Sequence, residues 1–156
     1  MEDNEADIFI FSEILETIEI CTALNVAKDG AEAIRLLDEN SENIALPDII
    51  VLDINVPKVN GHQVARYIKS SSHLKHIPVI MLTSSSYQKE VSKAYNQHVN
   101  CFVCKPTGLD EYVETVKGIV NFWATVAILP TKNLTDNFLA VSNKHYYPKA
   151  SLAGRF

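Results

Sequence analysis

The sequence predicts an α/β protein built around a parallel β-sheet with helices on both faces. Residues 49–52 and 78–82 are short, continuous apolar runs rich in β-branched side chains, which are typical of strands covered on both faces. Segments whose apolar residues recur at helical spacing alternate with these runs. Because parallel strands need crossover connections, this alternation predicts a doubly wound sheet.

The remaining elements continue the alternation as far as about residue 129. Two weaker strands are predicted at 24–26 and 101–103. Three helices are predicted after turn or cap residues, with Asp110 as the N-cap of the third, from these apolar positions: Ala33, Ile34 and Leu37; Val64, Tyr67 and Ile68; Tyr112, Val113, Val116, Ile119 and Val120. We therefore assign 1–129 to one domain and 130–156 to a mostly irregular C-terminal tail, in which 138–141 could form a brief strand or helix.

Charge and hydropathy exclude several classes of protein. Fourteen basic and nineteen acidic residues give a net charge of −5, whereas a nucleic-acid binder would present a basic face. No apolar run approaches the roughly 18 residues of a membrane span, and no basic-then-apolar signal opens the chain. We expect a cytoplasmic protein whose partners include neither nucleic acid nor a membrane.

Cys101 and Cys104 have the C-x-x-C spacing of redox and metal sites. They lie in an apolar stretch that is predicted to be a strand, where residues three apart point to opposite faces. A metal site would also need a second pair of ligands, and the sequence offers no obvious one. We therefore interpret both cysteines as small buried apolar residues.

Polar residues follow the predicted strands at the edge where function collects in open α/β sheets. Asp53 follows the strand at 49–52, Thr83 and Ser84 follow the strand at 79–82, and Lys105 follows the strand near residue 103. Glu2 and Asp3 precede the first helical stretch, where another strand end is expected. Carboxylates, a hydroxyl and one lysine are thus predicted to converge.

This set of groups fits phosphoryl transfer to a carboxylate. Asp53 can act as the nucleophile and form an acyl phosphate. Mg²⁺ prefers oxygen ligands, which the carboxylates of Asp3 and Asp53 and the backbone carbonyl of Asn55 would supply. Lys105 would pair with the phosphoryl group as a point charge, and Thr83 would donate its hydroxyl to a phosphoryl oxygen.

The same residues carry a resemblance to a known family. The run from Asp53 to Gly61 (DINVPKVNG) resembles the phosphoacceptor loop of bacterial response-regulator receivers. Glu2-Asp3-Asn4 resembles their acidic metal-binding pair, while the LTSS run at 82–85 and Lys105-Pro106 resemble their hydroxyl and lysine motifs. The resemblance covers the chain from Glu2 to about residue 129. It implies a flavodoxin-like receiver fold and phosphorelay signalling rather than enzymatic turnover, with Asp53 carrying the phosphoryl group.

A narrower resemblance concerns the runs YNQHVNC at 95–101 and NFW at 121–123. They are similar to the stand-alone receivers that serve phytochrome-type histidine kinases. This likeness implies a phytochrome-like sensor histidine kinase as phosphodonor, and a homodimer formed through the last strand, the last helix and the C-terminal extension. The family also implies a switch in which Thr83 moves toward the phosphate and Phe102 turns inward, although Phe102 as ordinary core filling explains the residue nearly as well.

Two rival functions are weighed against a receiver. Aspartyl-phosphate hydrolases of the haloacid dehalogenase kind place a second Asp two residues after the nucleophile, where this chain has Asn55. A degenerate pseudo-receiver would bind partners without taking phosphate, but Asp3, Asp53, Thr83 and Lys105 are all present.

The chain departs from the family at its first strand. Receivers have the strand order 2-1-3-4-5, so the first strand lies inside the sheet, yet Met1 here directly precedes the acidic pair. Three explanations are possible. The start of the sequence is misassigned, the tail around 138–141 takes the place of the first strand, or the second and third strands pair directly with each other. We expect the chain as written to be poorly soluble or loosely packed, because an open slot leaves backbone groups unpaired.

Overall fold

A three-stranded parallel sheet lies at the centre of the computed structural model, which describes residues 1–17, 23–39 and 46–130. The strand order is β1-β2-β3, with Val51 paired to Ile80 and Met81 paired to Phe102. The elements in chain order are α1 (Glu5–Thr17), α2 (Gly30–Glu39), β1 (Ile50–Leu52), α3 (Gly61–Ser70), β2 (Val79–Thr83), α4 (Gln88–Asn96), β3 (Cys101–Cys104) and α5 (Leu109–Asn121), followed by a short π-helical segment (Phe122–Val126).

Alternate residues of β2 point into two separate cores. Val79 and Met81 pack with α2, α3 and α4, whereas Ile80 and Leu82 pack with α1 and α5. All five residues of β2 are buried, which explains why its sequence is continuously apolar rather than alternating. The predicted sheet with helices on both faces is confirmed.

The first two residues of the chain lie beside β1, in the place of a first strand. The Met1 amino group donates to Val51 O at 2.8 Å, and Asp53 N donates to Met1 O at 3.0 Å. On the other side, Glu2 N donates to Ala27 O at 3.0 Å. In the described ranges no strand forms before α1, as the sequence predicts. Burial of the Met1 amino group lowers its pKa to about 6.

The strand predicted at 24–26 is wrong. Residues 23–27 form no regular element, and Leu24 is 42% exposed. Among the described residues, one backbone hydrogen bond, from Glu2 N to Ala27 O, joins this segment to the chain beside β1, whereas a strand needs a continued ladder of such bonds.

Two details of the last strand and helix also differ from expectation. α5 begins at Leu109 with Gly108 as its N-cap, so Asp110 lies inside the first turn, where its charge favours the helix dipole. Cys101 and Cys104 are both free, and Cys101 is half-buried against the core that α1 and α5 form with the sheet. Cys104 is exposed, which contradicts its interpretation as a buried apolar residue.

The predicted tail lies almost entirely outside the described residues. Of 130–156 only Pro130 is described, so the boundary near 129 and the short element at 138–141 stay predictions. None of the helices within the described ranges is long and apolar enough to cross a membrane.

Candidate functional site

The carboxyl ends of the three strands bring the predicted polar residues together. Asp53 follows β1, Thr83 is the last residue of β2, and Lys105 follows β3. Lys105 N donates to Thr83 O at 2.8 Å, which continues the β2–β3 ladder and holds the lysine beside the threonine. Lys105 Nζ then reaches Asp53 Oδ2 at 2.7 Å.

The Asp53 carboxylate is buried, with 6% of the residue exposed, and is held by two donors. Oδ1 accepts from Asn55 N at 3.0 Å and Oδ2 accepts from Lys105 at 2.7 Å, and the Thr83 hydroxyl acts on the carboxylate as a further influence that lowers its pKa. Burial by itself would raise the pKa of Asp53, but the hydrogen bonds from Lys105, Asn55 and Thr83 outweigh it, so this pKa lies below its usual value. Asp53 is therefore ionised at neutral pH.

The Lys105 ammonium lies among three carboxylates, which we call the acidic cluster: Glu2, Asp7 and Asp53. Its distances to Glu2 Oε2, Asp7 Oδ2 and Asp53 Oδ2 are 2.6, 2.8 and 2.7 Å. Burial would lower the pKa of Lys105, but the bonds to Asp53, Asp7 and Glu2 raise it well above its usual value. The lysine is therefore charged at neutral pH, and the acidic cluster together with Lys105 has a formal net charge of −2.

The structure distributes the N-terminal acidic residues differently from the prediction. Glu2 reaches Lys105, and burial raises its pKa despite that bond. Asp3, the predicted metal ligand, is exposed. Asp7 was missed by the sequence reasoning, although a signal existed: Asn4 caps α1 by accepting from Ala6 N at 2.9 Å, so α1 begins at the functional edge and its first turn faces the site.

The donor set suits a hard divalent cation. Within 1–17, 23–39 and 46–130, no three His, Cys, Asp or Glu side chains are grouped as a ready metal site. The predicted ligands are two carboxylates, from Asp3 and Asp53, and the Asn55 carbonyl; Mg²⁺ commonly completes such a set with water. The net negative charge around Asp53 favours a cation there, and the predicted ligands are all oxygen atoms, which Mg²⁺ prefers, so the chemistry of these residues fits the ion.

Gly61 sets the position of α3 against the end of β1. A Cβ on Gly61 would lie 2.3 Å from Asp53 O, so only glycine permits this approach. Gly61 N donates to Ile54 O at 3.1 Å, and Asn60 closes a capping box with Gln63 at the start of α3. The loop after Asp53 is thereby tied to the helix.

Phe102 is half-buried in β3 and packs against the core that α2, α3 and α4 form with the sheet. This placement agrees equally with core filling and with a ring that turns, so its role as a switch stays a prediction.

Comparison with known proteins gives the family of this chain. The family model "Response regulator receiver domain" matches residues 1–117. The chain belongs to the response regulator receiver family. Response regulator Rcp1 of Synechocystis sp. is 37% identical over 132 residues, which cover 83% of this chain and 90% of Rcp1.

Two solved structures agree in fold and sequence. The phosphorylated cyanobacterial phytochrome response regulator RcpA has a TM-score of 0.80 and 38% identity, covering 84% of this chain and 95% of that one. The Mn(2+)-bound form of Rcp1 has a TM-score of 0.80 and 37% identity, covering 83% and 95%. The flavodoxin-like receiver fold, the likeness to phytochrome response regulators and the role in phosphorelay signalling are confirmed, and the degenerate pseudo-receiver is not favoured.

Proposed function

We propose that this receiver accepts a phosphoryl group on the carboxylate of Asp53. The observation that carries the proposal is the environment of Asp53: a buried, ionised carboxylate bonded to Lys105 Nζ, with Thr83 at the end of the neighbouring strand β2. An ionised carboxylate is a nucleophile, and two donors close to it can bind the oxygens of an incoming phosphoryl group.

The transfer forms a bond between an Asp53 carboxylate oxygen and phosphorus. The bond between phosphorus and the donor atom breaks, and its electron pair stays on that atom. The donor atom is a histidine nitrogen of a kinase or an oxygen of acetyl phosphate. Lys105 is positioned to neutralise charge on the phosphoryl oxygens, and Thr83 to donate its hydroxyl to one of them.

Asp3, Asp53 and the Asn55 carbonyl are the residues that would hold Mg²⁺. When bound, the ion supplies positive charge against the phosphoryl oxygens. The Mn(2+)-bound form of Rcp1, a relative at 37% identity, supports a divalent cation in this protein. For Asp3 this requires its exposed side chain to turn toward Asp53.

The proposed phosphodonor is a phytochrome-like sensor histidine kinase in the cytoplasm. The likeness to RcpA, a cyanobacterial phytochrome response regulator, supports this partner. We propose that the signal passes on by protein–protein contact, through movement of Thr83 and Phe102, and not by turnover of small phosphoesters. The acidic balance of the chain supports an output that involves no nucleic acid.

A homodimer through β3, α5 and the C-terminal extension is part of the proposal. Apolar side chains on α5 and just after it are well exposed, with Leu109 at 63%, Phe122 at 49%, Val126 at 63% and Ile128 at 96%. Three of these residues lie within 122–128, and exposed apolar residues that are grouped in this way commonly mark a protein interface. Sedimentation velocity before and after phosphorylation tests the dimer.

Incubation with acetyl phosphate and Mg²⁺, followed by intact mass measurement, tests the acceptor. The wild-type protein should gain one phosphoryl group, and Asp53→Asn should gain none, because a neutral amide is a poor nucleophile of nearly the same shape. Asp110→Asn, which changes an exposed aspartate on α5, is the matched control and should behave as wild type. Uptake by Asp53→Asn at the wild-type level would exclude Asp53 as the acceptor.

A further inference from the structure

We propose that Asp7 is a positioning residue for phosphoryl transfer: it holds Lys105 in its resting place and is the partner that Lys105 gives up to the phosphoryl group. The inference rests on the proposed function of Asp53 and deepens it. Asp7 does not lie in any of the motifs that carry the receiver resemblance, and its role follows from the contacts of Lys105.

The three protons of the Lys105 ammonium are all in use. A lysine ammonium has three donors and no more, and each is directed to one carboxylate of the acidic cluster, at 2.6 to 2.8 Å. With 10% of its side chain exposed, Lys105 has little room for other partners. A phosphoryl oxygen can therefore bind Lys105 only if one of these three bonds is released.

Asp7 is the partner that is released most readily. The Asp53 carboxylate is the most buried of the three, with 7% of its side chain exposed, and it keeps its charge, and so its bond to Lys105, until the bond to phosphorus forms. Glu2 is 16% exposed and is anchored a second time, because its Oε1 accepts from Asn4 N at 3.2 Å. Asp7 is the most exposed, at 20%, so water can replace the lysine with the smallest loss.

Among residues 1–17, 23–39 and 46–130, no cation other than Lys105 pairs with Asp7 to compensate for the loss. The Tyr112 phenol on α5 lies in its field, and burial together with the negative charge of Asp7 raises the pKa of that phenol, which stays neutral. Lys28, the basic residue bonded to α1, pairs with Glu5 instead, at 2.5 Å. Asp7 and the phosphoryl group therefore compete directly for Lys105, and each of them weakens the bond between Lys105 and the other.

Phosphorylation rates of Asp7→Asn test the inference. Asp7 competes with the phosphoryl group through a charge-assisted hydrogen bond to Lys105 in a partly exposed site. Loss of that bond should raise the rate of phosphorylation by acetyl phosphate about tenfold at saturating Mg²⁺. Asp7→Glu, which restores the charge, should return the rate toward wild type. Glu5→Gln makes the same charge change in the same helical turn but faces Lys28, and it should leave the rate unchanged.

A second measurement uses neither phosphate nor metal. In ¹⁵N NMR of the metal-free protein, the Lys105 ammonium should exchange its protons with water slowly in wild type and in Glu5→Gln, and several times faster in Asp7→Asn, because one of its three acceptors is weakened. A phosphorylation rate for Asp7→Asn equal to or below wild type, or failure of Asp7→Glu to restore it, overturns the inference. If the wild-type protein is itself not phosphorylated on Asp53, the proposed function fails, whereas a normal wild-type rate with an unchanged Asp7→Asn rate rejects only the role of Asp7.

Discussion

Replacement of Lys105 by methionine should remove the cation around which the acidic cluster is built. Methionine is unbranched and only one atom shorter than lysine, so it keeps most of the apolar stem and the main change is electrostatic. The three carboxylates left behind have 7 to 20% of their side chains exposed and have lost their shared donor. Breaking a buried ion pair by removing one partner costs about 3–5 kcal/mol, and because water reaches Glu2 and Asp7 in part, we expect about 3 kcal/mol at pH 7.

The loss of stability in Lys105→Met should be smaller at low pH than at pH 7. In wild type the pKa of Asp53 lies below its ordinary value of 3.8, so this group contributes stability above that pH and loses it as the pH falls further. Without Lys105, burial is the dominant influence and raises the pKa of Asp53, and the already raised pKa of Glu2 increases further. Groups with raised pKa values favour the folded state at low pH and lose that contribution as the pH rises. The variant should therefore approach wild-type stability near pH 4 and fall behind it toward pH 7.

Urea unfolding in EDTA at pH 7 and at pH 4.5 measures this effect. We expect an unchanged m-value, a lower midpoint at pH 7 and a melting temperature about 6–12 °C below wild type. Lys28→Met is the matched control, because Lys28 and Glu5 form an exposed pair with 60% and 74% of their side chains accessible, and its loss should leave the unfolding midpoint close to that of wild type. A loss below about 1 kcal/mol for Lys105→Met at pH 7, or an equal loss at both pH values, would refute the argument that Lys105 neutralises the cluster.

Two glycines provide the remaining predictions. Gly61→Ala should destabilise the protein by roughly 2–4 kcal/mol in urea unfolding and slow phosphorylation, because the new Cβ would lie 2.3 Å from Asp53 O and force α3 away from the acceptor strand. Gly118→Ala should raise stability by about 1 kcal/mol, since Gly118 lies inside α5 and a Cβ there meets nothing within 4 Å. A neutral Gly61→Ala, or a destabilising Gly118→Ala, would contradict these assignments.

Non-local contacts account for much of what the sequence pattern left out. His62 lies just before the apolar positions of the second predicted helix and had no role there, yet it is buried at the start of α3 and contacts Glu90 Oε2 at 2.5 Å and Gln97 Oε1 at 3.0 Å, joining α3 to both ends of α4. Its partners are 28 and 35 residues away, a separation at which helical and strand periodicity carry no information.

The strand at 24–26 failed for a related reason. A short apolar segment becomes a strand only if a neighbour offers a continued ladder of backbone groups, and that neighbour is decided by tertiary structure. Here Met1 and Glu2 provide only the end of such a ladder, so residues 23–27 stay irregular.

The amino-acid pattern predicts the α/β class, the two strongest strands and the convergence of Asp53, Thr83 and Lys105, because a parallel sheet places the carboxyl ends of its strands at one edge whatever the loops do. It could not decide which acidic side chains of the N-terminal segment face that edge, since Glu2, Asp3 and Asp7 are equally acidic in the chain. Only the packing of α1 against α5 and the reach of Lys105 select Glu2 and Asp7 and leave Asp3 in solvent. The partners of a charged side chain depend on distances of a few ångströms between distant segments, and those distances exist only in the folded protein.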